Sequence, residues 1–425
     1  MAIGDKPKYD IASILIYASL VAIGLLSIYS AAPVLEYTSI LDINEVYGKQ
    51  FLFIGVCGLL IIVILSVEVK FYERFAALIY VVSLLSLAGL YIFGKEVNGA
   101  LSWYPLGPFT FQPSEFAKFA TALAVAKFLS QLNVSLKNVR DFIIAAGIIA
   151  LPALLIIPQP DPGSALIYCA FFFALHREGL TLWYLSLGLI ATALFLGALV
   201  ISTWWILLII VVVIALLYLL SRKRKHLKRL PKPRAYLYVI AAVICIAYTL
   251  STSYIFNNIL EDRHRNRIDI VLGRVQDDAG IGYNINQSMI AIGNGGWAGK
   301  SLDEATQTRG GYVPEQHTDF IFSAIGEVSG LLGTTVTIVL FMLLIYRVII
   351  MAERQRNMFA RVYGYGVAGI FFLHFFINVG MVIGLLPTVG IPLPFMSYGG
   401  SGLMGFTILL FIFIKLDAHR MSYDH

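Results

Sequence analysis

The sequence predicts an all-α polytopic membrane protein of about twelve transmembrane helices, and three observations carry that prediction. Hydrophobic residues make up 59% of the 425 and charged residues 13%, with a mean hydropathy of +0.81, a composition foreign to water-soluble domains. Apolar runs of roughly the 17–25 residues that a bilayer requires recur along the whole chain. Basic residues fall in alternate loops between those runs, as the preference of Lys and Arg for the cytoplasmic side demands.

The runs occupy about 11–30, 50–67, 75–93, 114–131, 141–157, 163–176, 180–200, 204–221, 234–254, 319–347, 361–384 and 401–417. The first lacks a small-residue cleavage site and is long enough to span, so it reads as a retained helix. The run from Asp319 exceeds a perpendicular crossing, which sets its first turn at the membrane surface. Lys6 and Lys8 precede the first span, and Lys70 with Arg74, Lys137 with Arg140, and His176 with Arg177 mark later cytoplasmic loops. Arg347, Arg354, Arg356 and Arg361 mark another, and Lys415 and Arg420 follow the last span. Both termini are then cytoplasmic, and the loops 31–49, 94–113, 158–162, 255–318 and 385–400 are extracytoplasmic.

The chain reads as one domain, 1–425, with a helical pair at 204–254 around a basic loop at 221–234 and a long outside loop at 255–318. The basic loop carries eight Lys and Arg and reads as an anchor on anionic headgroups, not as a nucleic-acid surface. The net charge of +6 is a topology signal for the same reason. Cys57, Cys169 and Cys245 lie inside apolar runs without a CxxC pairing and read as small core hydrophobes.

The chemistry collects in the outside segments. Pro314-Glu315-Gln316-His317-Thr318-Asp319 sets three ionisable groups against the start of a long apolar run, where such groups persist if they face a polar cavity. Asp319 is the candidate centre. The loop before it holds Glu261, Asp262, Arg263, His264, Arg265, Arg267, Asp269, Arg274, Asp277 and Asp278, then a glycine-rich stretch ending Gly299-Lys300. Glycines admit close backbone approach, and Lys300 and Arg267 could hold a phosphate.

A second constellation runs from Gly99 through Trp103 to Gln112-Pro113-Ser114-Glu115, with Lys118 three residues beyond. Proline suits the first position of a helix, and Glu115 and Lys118 share adjacent helix faces and can pair. That pair reads first as a structural lock on a span and second as a cation offered to an anionic headgroup. A third constellation, Pro158 to Ser164, places Asp161 at a proline-stiffened entry to a span. In the fourth, Gly390 to Gly402, prolines and glycines around Ser397 preclude continuous helix, so non-helical backbone lies near the membrane surface. Together these describe a membrane enzyme or transporter with an extracytoplasmic carboxylate site, and residue chemistry alone leaves the choice between them open.

Taken in their order along the chain, these segments resemble the SEDS family (shape, elongation, division, sporulation), over nearly the whole chain. Gly390-Ile391-Pro392-Leu393-Pro394-Phe395 is most like its RodA branch. The resemblance implies a peptidoglycan glycosyltransferase (a lipid II polymerase) that builds glycan strands at the outer face of the bacterial cytoplasmic membrane for elongation and shape. It makes Asp319 the essential aspartate, Trp103 the sensitive tryptophan, and Glu115 with Lys118 the intramembrane ion pair. Asp161, Glu315, His317 and Ser397 then stand beside the substrate, and Arg267, Lys300 and Lys118 are candidates for its pyrophosphate. It implies ten spans, to which this chain adds the pair at 204–254, and the chain departs from the family pattern at Pro162 and Ser164. No ligand set marks a dedicated metal site, though a divalent cation such as Mg or Mn could share the pyrophosphate charge. The implied partners are lipid II, the nascent strand, a class B penicillin-binding protein and other elongation-complex membrane proteins. The rival readings are a flippase for lipid-linked precursors, a division polymerase like FtsW, and an assembly scaffold.

Overall fold

Apolar runs fold as helices because a bilayer leaves each backbone N–H and C=O no other partner. The computed structural model describes residues 8–32, 42–97, 99–107, 109–228, 234–258, 262–272, 274, 281–300 and 304–420. Lys6, Glu261, Asp277, Asp278, residues 33–41 of the loop 31–49 and residues 229–233 of the basic loop lie outside the described residues.

In chain order the elements are α1 (Ile11–Ser30), α2 (Val46–Ser66), α3 (Val69–Phe93), β1 (Lys95–Val97), β2 (Ala100–Leu106), β3 (Phe109–Phe111), α4 (Pro113–Leu129) and α5 (Val139–Ile156). There follow α6 (Pro162–Leu166), a 3₁₀ turn (Ile167–Ala170), α7 (Phe171–Arg177), α8 (Trp183–Val200), α9 (Thr203–Lys228), α10 (Ala235–Asn258) and α11 (Asp262–Val271). The last are α12 (Ile281–Asn294), α13 (Thr306–Arg309), α14 (Ile321–Glu353), α15 (Met358–Val382) and α16 (Gly400–Ala418).

Ten helices among the described residues are long and apolar enough to cross a membrane. The expected span 114–131 folds as the 17-residue α4, which carries Glu115, Lys118 and Lys127. The expected span 163–176 folds as α6, the 3₁₀ turn and α7, three short pieces where one helix was expected. One expected continuous helix is also interrupted: Gly330 inside α14 has φ +61°, which divides it into 321–329 and 331–353. The excess length noted from Asp319 onward thus becomes a separate short helix ahead of the span proper.

The chain forms two units, Met1–Leu180 with Asp278–His425, and Thr181–Asp277. In the smaller unit α8, α9 and α10 pack on Ala198, Ile206 and Ile210, and Cys245 joins that cluster. In the larger unit α15 and α16 are the central helices, 72% and 78% buried against 22% for α2 and α3. Neighbours α4, α14 and α7 pack on α15, and α2 and α4 on α16. Cys57 is buried in this core, whereas Cys169 is exposed, a departure from its expected core role. The loop 94–113, expected outside, is not irregular: β1, β2 and β3 form an antiparallel sheet, turning at Gly99 (φ +78°) and Gly107 (φ +63°).

One end of the larger unit is tied by ion pairs. Arg347 pairs with Asp10, Arg354 with the fully buried Asp417, Arg177 with Glu353 (2.8 Å) and Arg361 with Glu178 (2.7 Å). These are the segments that the positive-inside pattern assigns to a common side.

Candidate active site

At the opposite ends of the same helices, the four constellations meet in the larger unit. Pro113 opens α4 at its first turn, putting Glu115 and Lys118 one turn apart inside the bundle. They are 4% and 2% exposed, with Lys118 Nζ 2.6 Å from Glu115 Oε1. The ammonium also lies 3.0 Å from Nε2 of His374 on α15 and 5.0 Å from the ring centroid of Phe406. A charged lysine only donates, so Nε2 must accept, and Nδ1 carries the proton that it donates to the Pro392 carbonyl at 3.1 Å. The ammonium is enclosed by these partners.

Asp319 is half-buried in the turn that precedes α14. Three consecutive carbonyls fix this turn: that of His317 accepts from Tyr398 N–H (2.7 Å), that of Thr318 from the Ser397 hydroxyl (2.6 Å), and that of Asp319 from Asn378 Nδ2 (2.8 Å). Nδ2 also donates to the Ile391 carbonyl at 2.7 Å. The φ of +71° at Gly390 favours glycine, and a Cβ there would meet Asp319 Oδ2 at 3.4 Å, an ordinary van der Waals contact.

The remaining candidates sort by position. Ser397 spends its hydroxyl on the Thr318 carbonyl and accepts from Leu393 N–H (2.8 Å), so its hydrogen bonds hold two loops together. Glu315, at φ +52°, accepts from the Thr318 hydroxyl at 3.0 Å. His317 has its carbonyl in the loop pairing, and burial holds its imidazole below the usual value, with Glu315 pulling the other way. Asp161 caps α6, accepting from Ser164 N–H at 3.0 Å, and Pro162 takes the first helical position, which fits proline's missing donor. Trp103 lies half-buried on β2 opposite Lys95.

Gln112 links three of the segments: its N–H donates to Ser401 Oγ (3.0 Å) and its side chain reaches Asp161 Oδ2 (3.5 Å). Lys300 is held by its backbone N–H on the Glu327 carbonyl at 3.0 Å, beside the break in α14. Arg267 lies on α11 of the smaller unit.

His374, Asn378 and the buried Glu327 are the polar residues that sequence reasoning missed. Each sits alone in an apolar run, where a single polar residue reads as part of the core. Glu327 accepts from the backbone of Gln307 (3.0 Å) and Thr308 (2.8 Å), tying α13 to α14. Among the described residues, no group of three or more His, Cys, Asp or Glu converges as a metal site.

The larger unit therefore offers a part-exposed carboxylate on a rigid turn, beside a buried cation–carboxylate–imidazole network. The FtsW/RodA/SpoVE family, described as cell cycle proteins, matches residues 11–422. The chain is 33% identical over 420 residues to peptidoglycan glycosyltransferase MrdB of Escherichia coli (strain K12), covering 98% of this chain and 95% of that protein. It is 30% identical to peptidoglycan glycosyltransferase RodA of Treponema pallidum (strain Nichols), covering 99% of this chain and all of that one. A chain from a solved peptidoglycan synthase complex, a study of how polymerization and crosslinking are coordinated, superposes with a TM-score of 0.72 at 25% identity, covering 98% of this chain and 99% of that chain. From residue 11 to residue 422, in sequence and in fold, this chain belongs to the FtsW/RodA/SpoVE family.

Proposed function

We propose that this chain is a peptidoglycan glycosyltransferase that polymerises lipid II at the outer face of the cytoplasmic membrane during elongation. The observation that carries the reading is Asp319, a half-buried residue whose backbone carbonyl is held by Asn378 and whose Oδ2 faces the α-carbon of Gly390. A general base needs that combination of fixed position and access. The relatives named above as peptidoglycan glycosyltransferases support the substrate class.

In the proposed step, Asp319 takes the proton from the 4-hydroxyl of the acceptor's terminal N-acetylglucosamine. The freed oxygen pair forms a bond to the anomeric carbon of the donor's N-acetylmuramic acid. The bond from that carbon to undecaprenyl pyrophosphate breaks, and the pyrophosphate carries away the electron pair. An α linkage becomes a β linkage in one displacement, so no covalent enzyme intermediate is required. Lys300 is the cation of the larger unit assigned to the departing charge, and Arg267 remains a candidate on sequence alone. A divalent cation, where one takes part, would draw its remaining ligands from substrate and water. A class B penicillin-binding protein is the proposed partner, in line with the complex in which a structural relative is found.

The test is glycan-strand synthesis from lipid II by the purified full chain in detergent. Detergent removes the two compartments that a flippase needs, so strand formation separates enzyme from transporter. Loss of synthesis in folded Asp319→Asn supports the base role, and retained synthesis refutes it.

A further inference from the structure

Asp319 projects from a turn, and a turn is a poor platform for a base whose position must hold to a fraction of an ångström. Of the donors to the carbonyls of His317, Thr318 and Asp319, Tyr398 and Ser397 belong to another loop, whereas Asn378 belongs to α15. That helix is a central element of the larger unit, and Asn378 is fully buried in it. Nδ2 donates to the carbonyls of Asp319 and Ile391 at 2.8 and 2.7 Å, joining the two segments that face each other at Gly390.

The amide orientation is unambiguous. Reversed, it would set an oxygen against two carbonyl oxygens. Oδ1 has no protein donor among the described residues, so the donor side holds this residue in place. One turn earlier on the same face, His374 holds the next carbonyl, Pro392, and joins it to Lys118.

We propose that Asn378 is a positioning residue for Asp319, fixing from α15 both the backbone that carries the carboxylate and the Gly390 turn opposite it. The proposal rests on Asp319 acting as the base. Misplacing a reacting group by about 1 Å costs on the order of 100-fold in rate, with little effect on substrate binding.

Three proteins test this with the full chain and lipid II: Asn378→Leu, Asn378→Asp and Asp319→Asn. Leucine fills a similar volume without a donor, and kcat should fall about 10- to 100-fold while KM stays within about threefold. Ionised aspartate sets negative charge against two carbonyls, and its protonated form regains one donor. The groups around it are Asp319, Glu315 and His317 on one segment and His374, Lys118 and Glu115 on the other side. Their titration is shared with the parent protein, so rates are compared as variant over parent. That ratio should rise at least about fivefold for Asn378→Asp between about pH 8 and about pH 5.5, and stay flat for Asn378→Leu.

Folded Asn378→Leu with kcat within about twofold of the parent, or with its loss confined to KM, overturns the proposal. Where Asn378→Leu does not fold, a flat ratio for Asn378→Asp overturns it. Inactive Asp319→Asn beside fully active Asn378→Leu removes the positioning role alone, whereas active Asp319→Asn removes the base reading beneath it.

Discussion

A methyl group on the α-carbon of Gly390 would lie 3.4 Å from Oδ2 of Asp319, in van der Waals contact with the carboxylate, so the two segments meet at this glycine. The φ of +71° at Gly390 adds a backbone cost of about 1–2 kcal/mol for any other residue. Gly390→Ala should therefore lower lipid II polymerisation by about 10-fold or more, while thermal unfolding moves only by the equivalent of that cost.

The Glu115–Lys118 pair makes a prediction about stability. Both groups are buried, so removing one leaves a charge without its counterion, at a cost of about 3–5 kcal/mol. Lys118→Met should unfold at a markedly lower temperature than the parent. The double variant Glu115→Gln/Lys118→Met should recover most of that loss, because no charge is then stranded. Thermal unfolding of the three proteins in one detergent checks this.

His317 carries a pH signature. Burial lowers its folded-state value below 6.5, with the Glu315 charge opposing, so the unfolded chain binds the proton first as pH falls. Its stability contribution is intact above pH 6.5 and drains away as pH drops from there through the folded-state value. His317→Gln should flatten that part of the curve of unfolding temperature against pH.

Much of this architecture was legible because its signals are local. Pro113 announces the start of α4, Asp161-Pro162 caps and opens α6, and the prolines and glycines of 390–402 forbid helix before Gly400. What escaped notice depends on distant partners. The sheet at 95–111 was hidden in a segment too short for a clear alternating pattern. The break in α14 comes from packing as well as sequence: a Cβ at Gly330 would lie 2.3 Å from the backbone nitrogen of Gly299. His374 and Asn378 gain their meaning from carbonyls on a loop folded back beside them, which no spacing along α15 reveals.

Glu327 supports the glycine-rich segment from below. Its carboxylate holds two backbone amides at the start of α13, and a Cβ at Gly295 would approach the Gly326 carbonyl to 1.9 Å. Glu327→Leu should cost about 1–3 kcal/mol by leaving those donors unmatched. Hydrogen exchange at the Gln307 and Thr308 amides should accelerate, while exchange in the middle of α15 stays slow.

The central claim is that the Asp319 carboxylate removes the acceptor's proton. The direct measurement is the rate of lipid II polymerisation by purified Asp319→Asn beside the parent, once both unfold at similar temperatures. A fall of at least about 100-fold is predicted, the scale of positioned general-base catalysis. A rate within a few-fold of the parent would contradict it.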